Sequence, residues 1–113
     1  MTIPSTIRAA ADASLARFCA THLPVNMRAE VRLEAAWRGD TVTLIERRAP
    51  WDGRGGEWTS LPIVQLRHTP DRVRRLYWQR SNGRWHELEE SPLEDIGRAL
   101  RVIGRDPDGV FWG

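Results

Sequence analysis

The sequence predicts an α+β protein: an antiparallel meander sheet of about five strands with an N-terminal and a C-terminal helix. Three observations predict this class. Apolar residues recur at helical spacing near both ends of the 113-residue chain, the apolar pattern between them has a period of two, and short turn sequences separate the intervening segments. Consecutive strands joined by short turns pair with their sequence neighbours, and two helices most simply cover one face of such a sheet. A chain of this length fits a single domain, residues 1–113.

The first helix is predicted over residues 5–22, with Pro24 ending it. Its apolar stripe consists of Ile7, Ala11, Leu15, Phe18 and His22. Cys19 lies next to this stripe, so we expect a buried small side chain rather than a nucleophile.

The middle of the chain predicts strands that alternate apolar and polar residues. Gly39-Asp40 supplies the first turn, and Asn82-Gly83 indicates a two-residue type I′ hairpin. The segment 49–60 is a glycine-rich loop that carries two tryptophans. The predicted strands cover about 28–37, 41–48, 62–68, 73–80 and 84–89.

The last helix is marked by a capping box at 91–94, and Gly104 is its expected end. Phe111 and Trp112 follow close to the end of the sequence. We expect this aromatic tail to dock onto the body of the protein, since exposed aromatic residues there would otherwise remain in water.

The two later turns predict a register for the last three strands. A two-residue loop at 82–83 pairs Ser81 with Arg84, and the turn at 69–72 pairs His68 with Val73. One predicted face carries Leu61, Ile63, Leu76, Trp78, Trp85, Arg67, Arg74, Arg80 and Glu87. The other carries Val64, Leu66, Val73, Tyr77, Leu88, His68, Arg75, Gln79 and His86. Both faces are then about half apolar, so the face without helices would bind a partner or a second copy, or be covered by the 49–60 loop.

Composition limits the classes of function. All 17 basic residues are arginine, but 15 carboxylates reduce the net charge to +2, which argues against a protein that coats nucleic acid with its whole surface. Exclusive use of arginine is typical of GC-rich coding, and it also suits phosphate and aromatic partners. A single cysteine cannot form an internal disulfide, and no signal peptide or membrane-spanning run is present in the sequence. We therefore expect a cytoplasmic protein.

Catalytic and metal-binding motifs are absent from the sequence. The predicted register separates His68 from His86, so we expect neither a shared metal site nor a cofactor. An alternative is a small enzyme that uses His86 with Glu46 or Glu87 in a pocket beside the 49–60 loop.

Arginine and aromatic residues alternate through the segment 74–86, a pattern typical of sheets that hold single-stranded nucleic acid. Six tryptophans in so short a chain also favour a contact surface. We therefore expect a non-catalytic binding or interaction domain whose partner is nucleic acid or a protein, with a homodimer as a further alternative. The expected binding residues are Trp51, Trp58, Arg67, Arg74, Trp78, Arg80, Trp85 and His86.

Four segments carry a resemblance to a known family: ERRAPW (46–51), PIVQLR (62–67), LYWQRSNGRWH (76–86) and the terminal DPDGVFWG (106–113). Together they resemble the bacterial domain-of-unknown-function family DUF3024, and the FWG ending is the most specific part. The resemblance implies one compact domain that ends at Gly113. It implies no activity, cofactor or catalytic residue.

Overall fold

The computed structural model describes residues 5–27, 29–50, 55–68, 74–79, 83–88, 96–106, 109 and 111–112. Helix α1 spans Ser5–Thr21 and helix α2 spans Ile96–Arg105, with a short 3₁₀ turn at Val25–Met27. The strands are β1 (Val31–Arg38), β2 (Thr41–Arg48), β3 (Thr59–His68), β4 (Arg74–Gln79) and β5 (Trp85–Glu87). They form one antiparallel sheet in the order β1-β2-β3-β4-β5, which confirms the predicted α+β meander. None of the described helices has the length and apolar character needed to cross a membrane.

The first hairpin follows directly from its turn. Arg38 pairs with Thr41 across a two-residue loop, and Gly39 occupies the first loop position with a φ of +59°. A type II′ turn requires positive φ at that position, which glycine adopts without strain. The predicted turn at Gly39-Asp40 is confirmed, and it fixes the register of all eight β1–β2 pairs.

Strand β3 contains a bulge opposite the middle of β2. Leu44 pairs with Val64, whereas the next residue, Ile45, pairs with Pro62. Ile63 is therefore an extra residue on β3, and both Ile63 and Val64 are buried. The bulge brings two consecutive apolar side chains into the core where strict alternation would place only one.

The predicted register of the last three strands is wrong by one residue. Leu66 pairs with Leu76, and Trp78 pairs with Val64 on one side and with His86 on the other. Even-numbered positions thus pair with even-numbered ones, and a pair between Gln79 and Trp85 leaves an odd number of residues in the loop. These pairs differ by one residue from those that a two-residue loop at 82–83 predicts, and Asn82 itself lies outside the described residues. A one-residue difference moves every side chain to the other face of its strand.

The observed register places most of the buried apolar strand residues on one face, so the expectation of two half-apolar faces is wrong. We call the side that packs against both helices the covered face, and the other side the open face. Buried strand residues of the covered face include Leu33, Val42, Leu44, Val64, Leu66 and Leu76. Those of β2, β3 and β4 form one core cluster with Leu15 of α1 and with Ala99, Leu100 and Ile103 of α2.

The C-terminal tail closes the junction between the helices, as predicted. Phe111 is buried in the core, and the ring of Trp112 stacks on His22 with their centroids 4.6 Å apart. Helix α2 continues one residue past Gly104, the predicted end, and the left-handed residue is Asp106, with a φ of +45°. A Cβ on Gly104 would lie 3.5 Å from Phe18, an ordinary van der Waals distance, so this position faces α1 without requiring glycine.

Candidate functional site

The open face is the most distinctive surface among the described residues. Its side chains come from the alternate strand positions that point away from the helices, because successive residues of a strand face opposite sides. It carries five arginines, two glutamates and three aromatic residues: Arg32, Arg38, Arg47, Arg67, Arg75, Glu34, Glu87, Trp58, Tyr77 and Trp85. The charged groups therefore give this surface a net charge of +3.

The centre of the open face is a hydrogen-bonded row across three strands. The Nε2 atom of Gln65 donates to Thr43 Oγ1 at 3.2 Å. Arg67 donates from Nε and Nη2 to Gln65 Oε1 at 3.1 and 2.9 Å. The guanidinium of Arg67 lies 3.7 Å from the centroid of the Tyr77 ring, a cation–π contact. The two residues form a stacked platform, which we call the Arg67–Tyr77 platform.

Glu87 of β5 orients the other side of this platform. Its Oε1 accepts a hydrogen bond from the hydroxyl of Tyr77 at 3.2 Å. Its Oε2 lies 3.5 Å from Nη1 of Arg75. Trp85, two residues before Glu87, is half-buried on the same face and lies diagonally opposite Tyr77. The β4–β5 end of the face thus presents two neighbouring aromatic rings with two arginines beside them.

The β1 end of the face has a second arginine–aromatic pair. The guanidinium of Arg32 lies 4.7 Å from the centroid of Trp58, which arrives from the 49–60 loop. Arg47 pairs with Glu34 at 3.5 Å. The Nε atom of Arg47 is buried and has no hydrogen-bond partner among the described residues. A small cavity of about 80 Å³ lies between these four side chains.

The structure brings three of the predicted binding residues to the open face and separates others from it. Trp58, Arg67 and Trp85 lie on the open face. Trp78 and His86 lie on the covered face, because the register differs by one residue from the predicted one. Trp51, Arg80 and the side chain of Arg74 lie outside the described residues.

Sequence reasoning missed Arg32, Arg47, Arg75 and Tyr77 as members of this surface. The signal that could have found them is the alternation itself: in β2 the residues Thr43, Ile45 and Arg47 alternate with buried ones. Residues paired across two strands share a face, so the alternation in β2, carried across the observed strand pairs, assigns each strand residue to a face. The predicted register was wrong for the β3–β4 and β4–β5 pairs.

The residues of the alternative catalytic hypothesis do not meet. Glu87 is on the open face and His86 on the covered face. Glu46 shares the covered face with His86, but three strand spacings separate β2 from β5, about 14 Å. The ring of His86 instead packs beside Trp78 at 5.4 Å between centroids. Its Nε2 atom is buried and has no hydrogen-bond partner among the described residues.

The remaining reactive groups give no catalytic or metal centre within the described part of the chain. Burial raises the pKa of the Cys19 thiol, and the nearby Glu34 carboxylate raises it further. The thiolate is therefore disfavoured, as expected for a packing residue. No three His, Cys, Asp or Glu side chains of the described residues could together hold a metal ion.

Fold and surface together define a small α+β domain with two helices on one face of a meander sheet and a basic, aromatic surface on the other. A family model described as a domain of unknown function, DUF3024, matches residues 3–113. The chain belongs to this family, which confirms the resemblance carried by its four segments. Neither a curated protein nor a solved structure matches the chain.

Proposed function

We propose that this protein is a non-catalytic binding domain whose open face binds single-stranded nucleic acid. One observation carries the proposal: the register places five arginines, two glutamates and three aromatic rings on the face that the helices leave uncovered. The net charge of the whole chain is only +2, so the positive charge is concentrated on this side.

The chemistry of these side chains favours a single strand. Guanidinium groups bind phosphate oxygens through paired N–H donors, and single-stranded bases stack on aromatic rings or on guanidinium planes. The Arg67–Tyr77 platform offers a guanidinium already held over an aromatic ring, 3.7 Å from its centroid. Trp85 is its diagonal neighbour on the next strand, within the range of about 7–8 Å that separates such positions. Two neighbouring bases could therefore stack side by side on β4 and β5.

Further arginines surround these two stacking positions and would contact the phosphates of a bound nucleic-acid strand. Arg75 of β4 lies beside Glu87 of β5, close to the stacking positions. Arg32 and Arg47 lie toward the opposite end of the sheet. Rows of arginine with interleaved aromatic residues are how sequence-tolerant single-strand binders combine charge and stacking. A duplex buries its bases, so it would use the charge of this surface and not its rings.

Fluorescence anisotropy with labelled single-stranded and double-stranded oligonucleotides tests the proposal. If each of the five arginines contacts one phosphate, the slope of log K against log salt is about −3.5. Affinity should then fall about a hundredfold between about 50 mM and about 200 mM salt. Absence of binding at the lower concentration would exclude nucleic acid and leave a protein as the partner of the open face.

Variants separate charge from stacking. The double variant Arg67→Gln, Arg75→Gln should weaken binding and reduce the slope to about −2.1. Trp85→Ala should weaken binding by about 1–3 kcal/mol without changing the slope. The matched control is Arg17→Gln with Arg101→Gln, which removes the same charge from exposed positions on the two helices. Equal losses in the open-face and helix double variants would show that the open face is not the binding surface.

A further inference from the structure

Strand β1 has an edge that no described residue pairs with. It is the first strand of the sheet, and among the described strands it pairs only with β2. Because Arg38 and Thr41 close a two-residue loop, they form a hydrogen-bonded pair, and the ladder alternates from there. The bond from the Ala49 N–H to the Glu30 carbonyl at 2.8 Å continues that alternation. The outward N–H and C=O groups therefore belong to Val31, Leu33, Ala35 and Trp37.

These outward groups make no hydrogen bond with any described residue. Natural sheets usually protect a long edge with proline, a bulge or a covering segment. In β1 all eight pairs with β2 are regular, and the strand contains no proline. The edge thus offers an uninterrupted row of backbone donors and acceptors.

A groove runs beside this edge, under helix α1. Two adjoining cavities of about 460 and 420 Å³ share the residues Ala16, Cys19, Leu33 and Glu34. The helix contributes mostly small or apolar side chains and Asp12 to the wall, and Leu23, two residues past the end of α1, completes it. The lining includes side chains from both faces of β1, so the groove passes around the edge itself. It occupies the position that a further strand of the sheet would take.

The position of α1 decides what can fill this groove. Helix α1 packs chiefly on β1, at the margin of the sheet. A second copy that added its own β1 would bring its own α1 to the same height. Adjacent strands are about 4.8 Å apart, whereas packed helices need about 8–10 Å between axes. The two helices would overlap, so the groove excludes a second copy and admits a single extended segment.

We propose that the groove between α1 and β1 binds an extended peptide segment of a partner protein, which adds to β1 as an antiparallel strand. Backbone groups of Val31, Leu33 and Ala35 would bond to the peptide, and its alternate side chains would pack beneath α1. The site shares Arg32 and Glu34 with the open face, but its backbone hydrogen bonds do not depend on nucleic-acid binding.

The charges on β1 specify the peptide. Arg32 and Glu34 flank Leu33 and point to the open face, so directly opposite positions favour an acidic and a basic residue respectively. The residue between them packs toward the groove and is apolar. Read from its N-terminus, an antiparallel ligand therefore has the order basic, apolar, acidic.

The test uses a labelled, capped peptide of sequence TVRVEVT, with its central valine placed opposite Leu33. The matched control is the same peptide N-methylated at that valine, which keeps every side chain but loses the N–H that the Leu33 carbonyl would accept. We expect binding by fluorescence anisotropy and at least about tenfold weaker binding of the control. The charge-swapped peptide TVEVRVT should bind several-fold more weakly. Equal binding of the parent and N-methylated peptides, or no binding of the parent, would overturn the proposal.

Two pairs of protein variants locate the site. Ala35→Pro removes an outward N–H and leaves the β1–β2 bonds intact, and Ala35→Val keeps that N–H. Ala20→Arg fills the groove from α1, whereas Ala13→Arg places the same side chain on an exposed position of α1 outside it. Ala35→Pro should weaken binding at least about tenfold relative to Ala35→Val, and Ala20→Arg should do so relative to Ala13→Arg. Circular dichroism confirms that the variants fold.

Two results would contradict the assignment. Unchanged binding to both Ala35→Pro and Ala20→Arg would show that the peptide binds elsewhere. Self-association of the unmodified chain in sedimentation, lost in Ala35→Pro, would show that a second copy occupies the edge instead.

Discussion

The observed register makes Leu76 a core residue, and the stability of the Leu76→Ala variant tests that placement. Leu76 is fully buried beside Leu66 on the covered face. Leu76→Ala removes three carbons, a loss of about 2.4 kcal/mol of transfer free energy at about 0.8 kcal/mol each. A void on the order of 80 Å³ that does not relax adds about 2 kcal/mol. We therefore expect a loss of about 2.5–4.5 kcal/mol in the free energy of unfolding.

The neighbouring residue is the control. Arg75 lies on the open face, where its 3.5 Å ion pair with Glu87 is about one-third exposed. Arg75→Ala should therefore cost at most about 1 kcal/mol. Urea unfolding followed by tryptophan fluorescence and far-UV circular dichroism gives both values, and the Leu76→Ala protein should melt about 10–20 °C lower. A loss below about 1 kcal/mol for Leu76→Ala, or one no larger than for Arg75→Ala, would refute the register.

Two further predictions concern the junction of the helices with the C-terminal tail. The Asp106 carboxylate accepts the backbone N–H groups of Phe111 at 3.1 Å and Trp112 at 2.9 Å. Asp106→Ala should therefore destabilise the protein by about 2–4 kcal/mol in urea unfolding. Asp106→Asn should cost less, since the amide keeps one acceptor oxygen. An Asp106→Ala protein as stable as the wild type would contradict this prediction. His22 stacks on Phe18 and Trp112, and burial lowers its pKa. The unfolded chain then binds the proton more readily, so the contribution of His22 is complete above about pH 6.5 and is lost as the pH falls below that value. The stability difference between wild type and His22→Phe should move in favour of the variant from about pH 7.5 to about pH 5.5, and a constant difference would disprove the assignment.

The parts of the fold that the sequence predicted have local causes. The periodicity of the first helix, the type II′ turn at Gly39 and the strong alternation of β2 each depend on neighbouring residues alone. Docking of Phe111 and Trp112 was also predictable, because aromatic side chains that end a sequence have few other ways to leave water.

The register of β3, β4 and β5 was not predictable from the same signals. The Asn82-Gly83 sequence favours the register of a two-residue loop. Burial of Leu66, Leu76 and Trp78 on the same face favours a register that differs from it by one residue. The bulge at Ile63 depends in the same way on a neighbouring strand. Of the proposed surface, Trp58, Arg67 and Trp85 were therefore foreseen, while the arginines of β1 and β2 required the observed pairing.

The contact between Trp112 and helix α1 has a consequence for biosynthesis. All described strand pairs join sequence neighbours, so each strand can pair as soon as the next one has left the ribosome. Phe18 and His22, in contrast, stack on Trp112, which is synthesised about 90 residues later. Translation of that many residues takes roughly 5–20 s at usual rates. The aromatic stack of Phe18, His22 and Trp112 therefore forms later in synthesis than the packing of α1 on β1, whose residues follow the helix directly.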